Sequence, residues 1–232
     1  GVDEVYHCAA KVSFHPNDRQ EMYHTNLYGT RNLLYATQTS NVKKFCFISS
    51  TAVLDGVNEE GEIDEDSNYN PKLGHSSYSK SKHFSEMEVW RSSAEGLSVV
   101  IVNPGVIIGS GNWNSSSGEL FKTFEKFPYA MSGSSSYVDV RDVAEISIQL
   151  MEKNIFGERF ILISENKKFA EVANSVRKML GKSPAKVLSK SVLKLGYFVN
   201  LLFGWLFSPL KIITKINVET VTSSFILSNK KV

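Results

Sequence analysis

Residues 97–109 read LSVVIVNPGVIIG. From Leu97 to Val102 only Ser98 interrupts an apolar, β-branched run, and Pro104, with no N–H to give to a ladder, closes it. The run is too short for a buried helix and predicts a strand apolar on both faces. Such a strand needs a cover on each side, which is the situation of a parallel sheet under helices. The flanking sequence keeps that rhythm. Upstream, KSKHFSEMEVWRSSAE (80–95) predicts a helix stopped by Gly96. It follows a polar, acidic loop punctuated by Gly56, Gly61, Pro71 and Gly74, and before that KKFCFISS (43–50) is a short buried strand. Further back, EMYHTNLYGTRNLLYATQTS (21–40) is helical, with Leu27, Leu33, Leu34 and Ala36 at helical spacing, and VDEVYHCAA (2–10) is a strand. Downstream, YVDVRDVAEISIQLMEK (137–153) predicts a helix beginning near Asp139 or Arg141, then come the strand ERFILIS (158–164) and the helix FAEVANSVRKMLG (169–181). The alternation predicts an α/β fold, a doubly wound parallel sheet. No internal repeat is present, and NWNSSSGE (112–119) reads as a Ser-rich surface loop.

Composition agrees. The 232 residues are 42% hydrophobic and 22% charged, which fits a soluble globular chain of one domain, or one domain with a small lobe. With 26 basic against 24 acidic residues and no basic block, the chain lacks the cation excess that nucleic acid as a partner would require. Cys8 and Cys46 each sit in an apolar run without CxxC or Cys/His ligand spacing. They read as free buried thiols, with no disulfide and no metal site, and point to a reducing, cytoplasmic location. The opening GVDEVYHCAA has neither an initiator Met nor a signal-peptide pattern and reads as a chain entered in mid-domain. SVLKLGYFVNLLFGWLF (191–207) is interrupted by Lys194, and its uncharged part is shorter than the roughly 20 apolar residues of a spanning helix. It predicts an amphipathic helix covering part of a core or substrate lobe, with membrane-surface contact the lesser alternative.

Within HSSYSKSKHFSEMEVW (75–90), Tyr78 and Lys82 lie one helical turn apart, so both side chains share a face. A phenol with an unperturbed pKa of about 10 is a poor acid or base near neutrality, and an adjacent ammonium favours its ionised form. A tyrosine tuned in this way exchanges a proton with a hydroxyl or carbonyl. Read alone, the pair is more simply a ring covering the sheet and a solvated surface lysine, since such a pair arises often by chance. A strand ending in FISST lies before it, however, and a strand ending in NPG after it, and the carboxyl ends of strands are where open parallel sheets take ligands.

Six segments stand in order: HCAA (7–10), NLYGTRNLL (26–34), FISSTAVLDG (47–56), YSKSK (78–82), NPGVIIG (103–109) and YVDVRDVAE (137–145). Together they resemble the short-chain dehydrogenase/reductase superfamily in its extended branch, which includes NAD-dependent epimerase/dehydratases, dihydroflavonol-reductase-like enzymes and 3β-hydroxysteroid dehydrogenases. The resemblance implies a Rossmann-type sheet with a small C-terminal substrate lobe. Residues 1–150 would form a partial NAD(P)-binding domain, with 105–135 contributing to the substrate side. Residues 151–232 would be mostly lobe, with the strand at 158–164 belonging to the sheet. It implies Tyr78 as catalytic acid/base, Lys82 as the residue that binds the nicotinamide ribose and lowers the tyrosine pKa, and Ser50 as the hydroxyl that orients the substrate oxygen. Counting from the strand favours Ser50, whereas counting back from Gly56 gives Thr51. The residues implied at the cofactor are Cys8, Ala9, Ala10, Asn26, Ser49, Tyr78, Lys82, Pro104, Gly105 and Val106, and Asn26 alone reads equally well as a helix cap. Asp139, Arg141 and Asp142 match an element that stabilises the fold, and no chemistry is assigned to them. NAD or NADP, a small-molecule substrate and a homodimer are compatible with the resemblance.

The sequence departs from the family pattern by lacking the Gly-rich GxxGxxG turn that meets the dinucleotide pyrophosphate, and with it the residue that separates NAD from NADP. The first two βα units read as missing, and the closing SFILSNKKV resembles a segment before the family's last helices. Asn103 stands where nucleotide-sugar epimerases tend to carry Arg, residues 192–207 are apolar, and LFKTFEKFPY (120–129) is rich in aromatics. These features lean toward a hydrophobic substrate. The expectation is hydride transfer between a nicotinamide and a secondary alcohol or ketone. The rivals are a nucleotide-sugar epimerase or dehydratase on the same site, and a non-catalytic relic or binding module.

Overall fold

The structure is a computed structural model, and it describes residues 1–111, 117–203 and 214–232. In chain order the strands are β1 (Glu4–His7), β2 (Lys44–Ile48), β3 (Ser98–Pro104), β4 (Val106–Ile108), β5 (Tyr129–Met131), β6 (Ser134–Asp139), β7 (Glu158–Leu162), β8 (Glu165–Lys168) and β9 (Lys186–Leu188). The helices are α1 (Arg19–Met22), which continues through a π-helical turn (Tyr23–Tyr28) into α2 (Gly29–Gln38), then α3 (Ser77–Ala94), α4 (Ser117–Lys126), α5 (Val140–Glu152), α6 (Phe169–Met179), α7 (Lys190–Phe203) and α8 (Lys215–Thr222).

The central sheet runs β1-β2-β3-β7, all parallel. Strand alternation sorts its side chains into two cores. Phe45, Phe47, Val99 and Ile101 pack against Leu34 of α2 and Val89 of α3. Cys46, Val100, Val102, Phe160 and Leu162 pack against Val143, Leu150 and Met151 of α5 on the other face. Each such side chain contributes about 1.5–3 kcal/mol on burial, so the doubly covered sheet is the main source of stability. Gly96, at φ +103, ends α3 as its position predicted.

At Gly105 the chain leaves this sheet. Its N–H still donates to the Leu162 carbonyl at 3.0 Å, and a Cβ there would overlap the Ser136 carbonyl, so only glycine lets β3 pass this close to β6. The next three residues, β4, pair instead with β6 in a second sheet of order β4-β6-β8. A small lobe packs Phe124 of α4 and Ala173 of α6 with Ala130 of β5, which pairs with β9.

Several expectations change. The segment from Tyr137 begins as strand β6, and the helix starts only at Val140, capped by Asp139. Arg141 bonds that carboxylate through its backbone and guanidinium and holds it down to about 2. The loop reading of 112–119 fails at Ser117 to Glu119, which open α4, while 112–116 lie outside the described residues. Cys8 is exposed, not buried, since β1 ends one residue before it at His7; Cys46, inside β2, is buried. Helix α7 packs beside α8 with Leu193 and Tyr197 half-buried, but Val192, Leu195, Phe198, Val199 and Leu201 are exposed, and residues 204–207 of that apolar segment lie outside the described residues. Among the described residues no helix is long and apolar enough to cross a membrane, and no three His, Cys, Asp or Glu side chains are grouped to hold a metal.

Candidate active site

The serines around Tyr78 fix its place. Ser76 caps α3 by accepting the Ser79 N–H at 3.0 Å. Ser79 Oγ donates to the Ala52 carbonyl at 2.7 Å, which pins the start of α3 to the short 3-10 turn Thr51–Val53 that follows β2. Ser50 caps that turn by accepting the Ala52 N–H at 3.2 Å. The start of α3 and the turn after β2 thereby set Tyr78 and Ser50 beside each other, close enough for Ser50 to act on the phenol. Thr51 opens the turn instead. Ser49 keeps its N–H on the Val102 carbonyl at 2.7 Å, and its hydroxyl is buried without a partner.

One turn on, Lys82 is only 1% exposed. Its Nζ donates to the Ile48 carbonyl at 2.7 Å and lies 4.2 Å above the Phe47 ring. Burial lowers the ammonium to about 8, opposed by the charges of Glu86 and Cys8. Burial also raises the half-buried Tyr78 phenol, with the Ser50 bond pulling the other way. Loss of water penalises the phenolate, and the Lys82 ammonium donates to the Ile48 carbonyl one turn away.

Between about 8 and its ordinary 10.5, Lys82 holds fewer protons in the folded than in the unfolded chain. Stability therefore rises with pH through that window, and the full cost of the buried charge is present below it. Lys82→Met should leave stability at neutral pH unchanged or raised by about 1–2 kcal/mol, and should flatten the rise above pH 8. Urea unfolding across pH checks both. A clear loss of stability in Lys82→Met would make Lys82 a structural residue.

Glu86, a further turn along α3, is 2% exposed. Its carboxylate accepts Asn103 Nδ2 at 2.7 Å and Arg159 Nη2 at 3.0 Å. Asn103 Nδ2 also donates to the Ser50 carbonyl at 3.0 Å. A chain of polar contacts thus runs from Arg159 on β7 through Glu86 to the backbone of Ser50. Sequence reading missed Glu86 and Arg159, although Tyr78, Lys82 and Glu86 repeat at four-residue spacing, the available signal. Asn103 belongs to the parity of Val99 and Ile101, fully buried toward α3. Phe124, in the stretch read as pocket lining, is core of the small lobe.

Asn26 is not a cap. From the π-helical turn its Oδ1 accepts the Lys11 N–H at 2.7 Å, and its Nδ2 donates to the Lys11 carbonyl at 3.0 Å and to Ser81 Oγ at 2.8 Å. Its own carbonyl accepts Thr30 Oγ1 at 2.5 Å and Ser85 Oγ at 2.8 Å. Buried Ser81 and Ser85 are small enough to let the two helices approach. His7 shares a 2.9 Å hydrogen bond with Thr30 Oγ1, and burial, then the Lys82 charge, lowers it to about 4, so the ring is neutral near pH 7.

The structure therefore brings Tyr78, Ser50, Lys82 and Asn26 together around the ends of β1, β2 and β3. Cys8 lies within electrostatic reach of Lys82, Ala9 and Ala10 are exposed beside it, and Pro104 ends β3. Gly105 and Val106 are half-buried and lead into the second sheet.

The chain matches the model of the NAD dependent epimerase/dehydratase family over residues 1–162. It is 30% identical over 186 residues, 78% of this chain and 56% of the relative, to sterol demethylase protein B of Methylococcus capsulatus. It is 31% identical over 178 residues, 72% of this chain and 50% of the relative, to a putative dihydroflavonol 4-reductase of Synechocystis sp.. The crystal structure of gox2253 superposes with a TM-score of 0.80 at 28% identity, covering 100% of this chain and 72% of that one. The chain spans about half the length of the curated relatives it matches.

Proposed function

Since the chain belongs to the NAD-dependent epimerase/dehydratase family, we propose that Tyr78, Ser50 and Lys82 form the acid/base site of an oxidoreductase that interconverts a ketone and a secondary alcohol. The observation that carries this reading is the docking of the Tyr78 turn of α3 onto the Ser50 turn after β2, one helical turn from a buried ammonium where the parallel strands end. The residues fit the nicotinamide end of NAD or NADP. The ammonium of Lys82 has three donors and Ile48 takes one, which leaves donors for ribose hydroxyls. Ser49 offers a buried hydroxyl without a partner, and Ala9 and Ala10 leave backbone open to close approach. A bound nicotinamide supplies or accepts the hydride. Tyr78 gives the proton to the substrate oxygen during reduction and takes it back during oxidation, while Ser50 holds that oxygen by a hydrogen bond. Burial that keeps the phenol protonated suits the reducing direction.

An apolar ketone or alcohol is the substrate class, supported by the sterol and dihydroflavonol names of relatives at about this chain's level of identity. The test follows nicotinamide absorbance in the natural protein with hydrophobic ketones and, separately, with UDP- or dTDP-linked sugars. Ketone-dependent oxidation of NADH or NADPH is expected. Epimerised sugar nucleotide without net oxidation would overturn the substrate class and put an epimerase in its place.

A further inference from the structure

Helix α7 exposes more of its apolar side chains than it covers. Its half-buried positions, Leu193, Gly196, Tyr197 and Asn200, lie on one face, and the helix packs beside α8. Its outward positions are Val192, Leu195, Phe198, Val199 and Leu201, which are 39–65% exposed. Contiguous outward apolar groups of this size mark a contact surface. The charge pattern around them is one-sided: from Lys178 to Phe203 the chain has five lysines and no Asp or Glu. Lys186, Lys190 and Lys194 are exposed, and among the described residues none of them has an acidic partner.

We propose that this face of α7 lies on an anionic membrane surface, with its apolar side chains in the headgroup and acyl boundary and Lys186, Lys190 and Lys194 on lipid phosphates and carboxylates. The 14 residues of α7 make a rod of about 21 Å, short of the roughly 30 Å hydrocarbon core, so the helix lies along the surface and does not cross it. Outward Leu, Phe and Val beside unpaired lysines are the two attractions such a surface rewards, and flexible lysine stems let the charges reach the headgroups while the helix sits lower. An acidic protein partner would satisfy the lysines but would not by itself require five bulky apolar side chains. This proposal does not depend on the catalytic reading.

Flotation of the chain with vesicles of phosphatidylcholine alone, and of phosphatidylcholine with phosphatidylserine, tests it. The chain is expected to float with the anionic vesicles at low salt and to be released by high salt. Replacing Lys190 and Lys194 by Glu should weaken binding about tenfold or more. Leu195→Glu together with Phe198→Glu should abolish binding with an unchanged circular dichroism spectrum; should that pair disturb folding, the exposed lysine variants carry the test alone. A folded chain that stays behind from both vesicle types would overturn the proposal, as would binding that ignores the lysine variants. So would a dimer that Leu195→Glu dissociates in a chain with no affinity for vesicles, since the face would then belong to a second copy.

Discussion

In the natural protein, Tyr78→Phe is expected to lower kcat by about 10²–10⁴-fold while leaving nicotinamide affinity nearly unchanged. The ring keeps its volume and its place at the start of α3, which Ser76 and Ser79 hold independently of the phenol oxygen. What disappears is the proton path and the bond to Ser50. Single-turnover reduction, with cofactor binding followed by fluorescence, separates the two effects. Turnover like that of the parent would remove Tyr78 from the mechanism. Loss of nicotinamide binding alone would give it a packing role. Ser50→Ala, compared with Thr51→Ala, tells the two hydroxyls apart, because Ser50 is the one that acts on the phenol.

Glu86→Ala should cost about 3–5 kcal/mol of stability, the range for removing one partner of a buried ion pair. It leaves Arg159 without its carboxylate, deprives Asn103 Nδ2 of one acceptor, and withdraws the charge that helps hold the Lys82 proton. Glu86→Gln keeps an acceptor for Asn103 and loses only the charge, so it should fall between. Urea unfolding with an unchanged slope gives the comparison. A change in Glu86→Ala below about 0.5 kcal/mol, as for an ordinary surface site, would mean that Arg159 finds water in place of the carboxylate.

The elements that were legible in sequence are those whose burial is written in their composition. Phe45 to Ile48 and Val99 to Val102 are apolar on both faces, and such strands have no other stable place than a covered sheet. The Tyr78–Lys82 pair was legible because four residues make one turn of α3. Two of the strands that escaped are polar. Ser134–Asp139 reads SSSYVD and Glu165–Lys168 reads ENKK. They are strands because β6 bridges β4 and β8, a fact of the surroundings and not of their own side chains. Glu86 was overlooked for a related reason: a carboxylate is not expected in a core until its cation on a distant strand is known.

The π-helical turn at Tyr23–Tyr28 sets two halves of one rod at different rotational phase. A regular α-helix advances about 100° per residue, so a turn holding one residue more offsets everything before it relative to everything after it by about that angle. Leu34 of the second half can therefore point at the sheet while Asn26, inside the turn, points at the loop after β1 and at Ser81. No regular helix of the same length would satisfy both directions. Straightening the turn would also close the Asn26 carbonyl, now shared by Thr30 and Ser85, back into the helix. In this stretch the number of residues is thus as much a requirement as their identity, and deleting one residue would disturb the site more than most substitutions there.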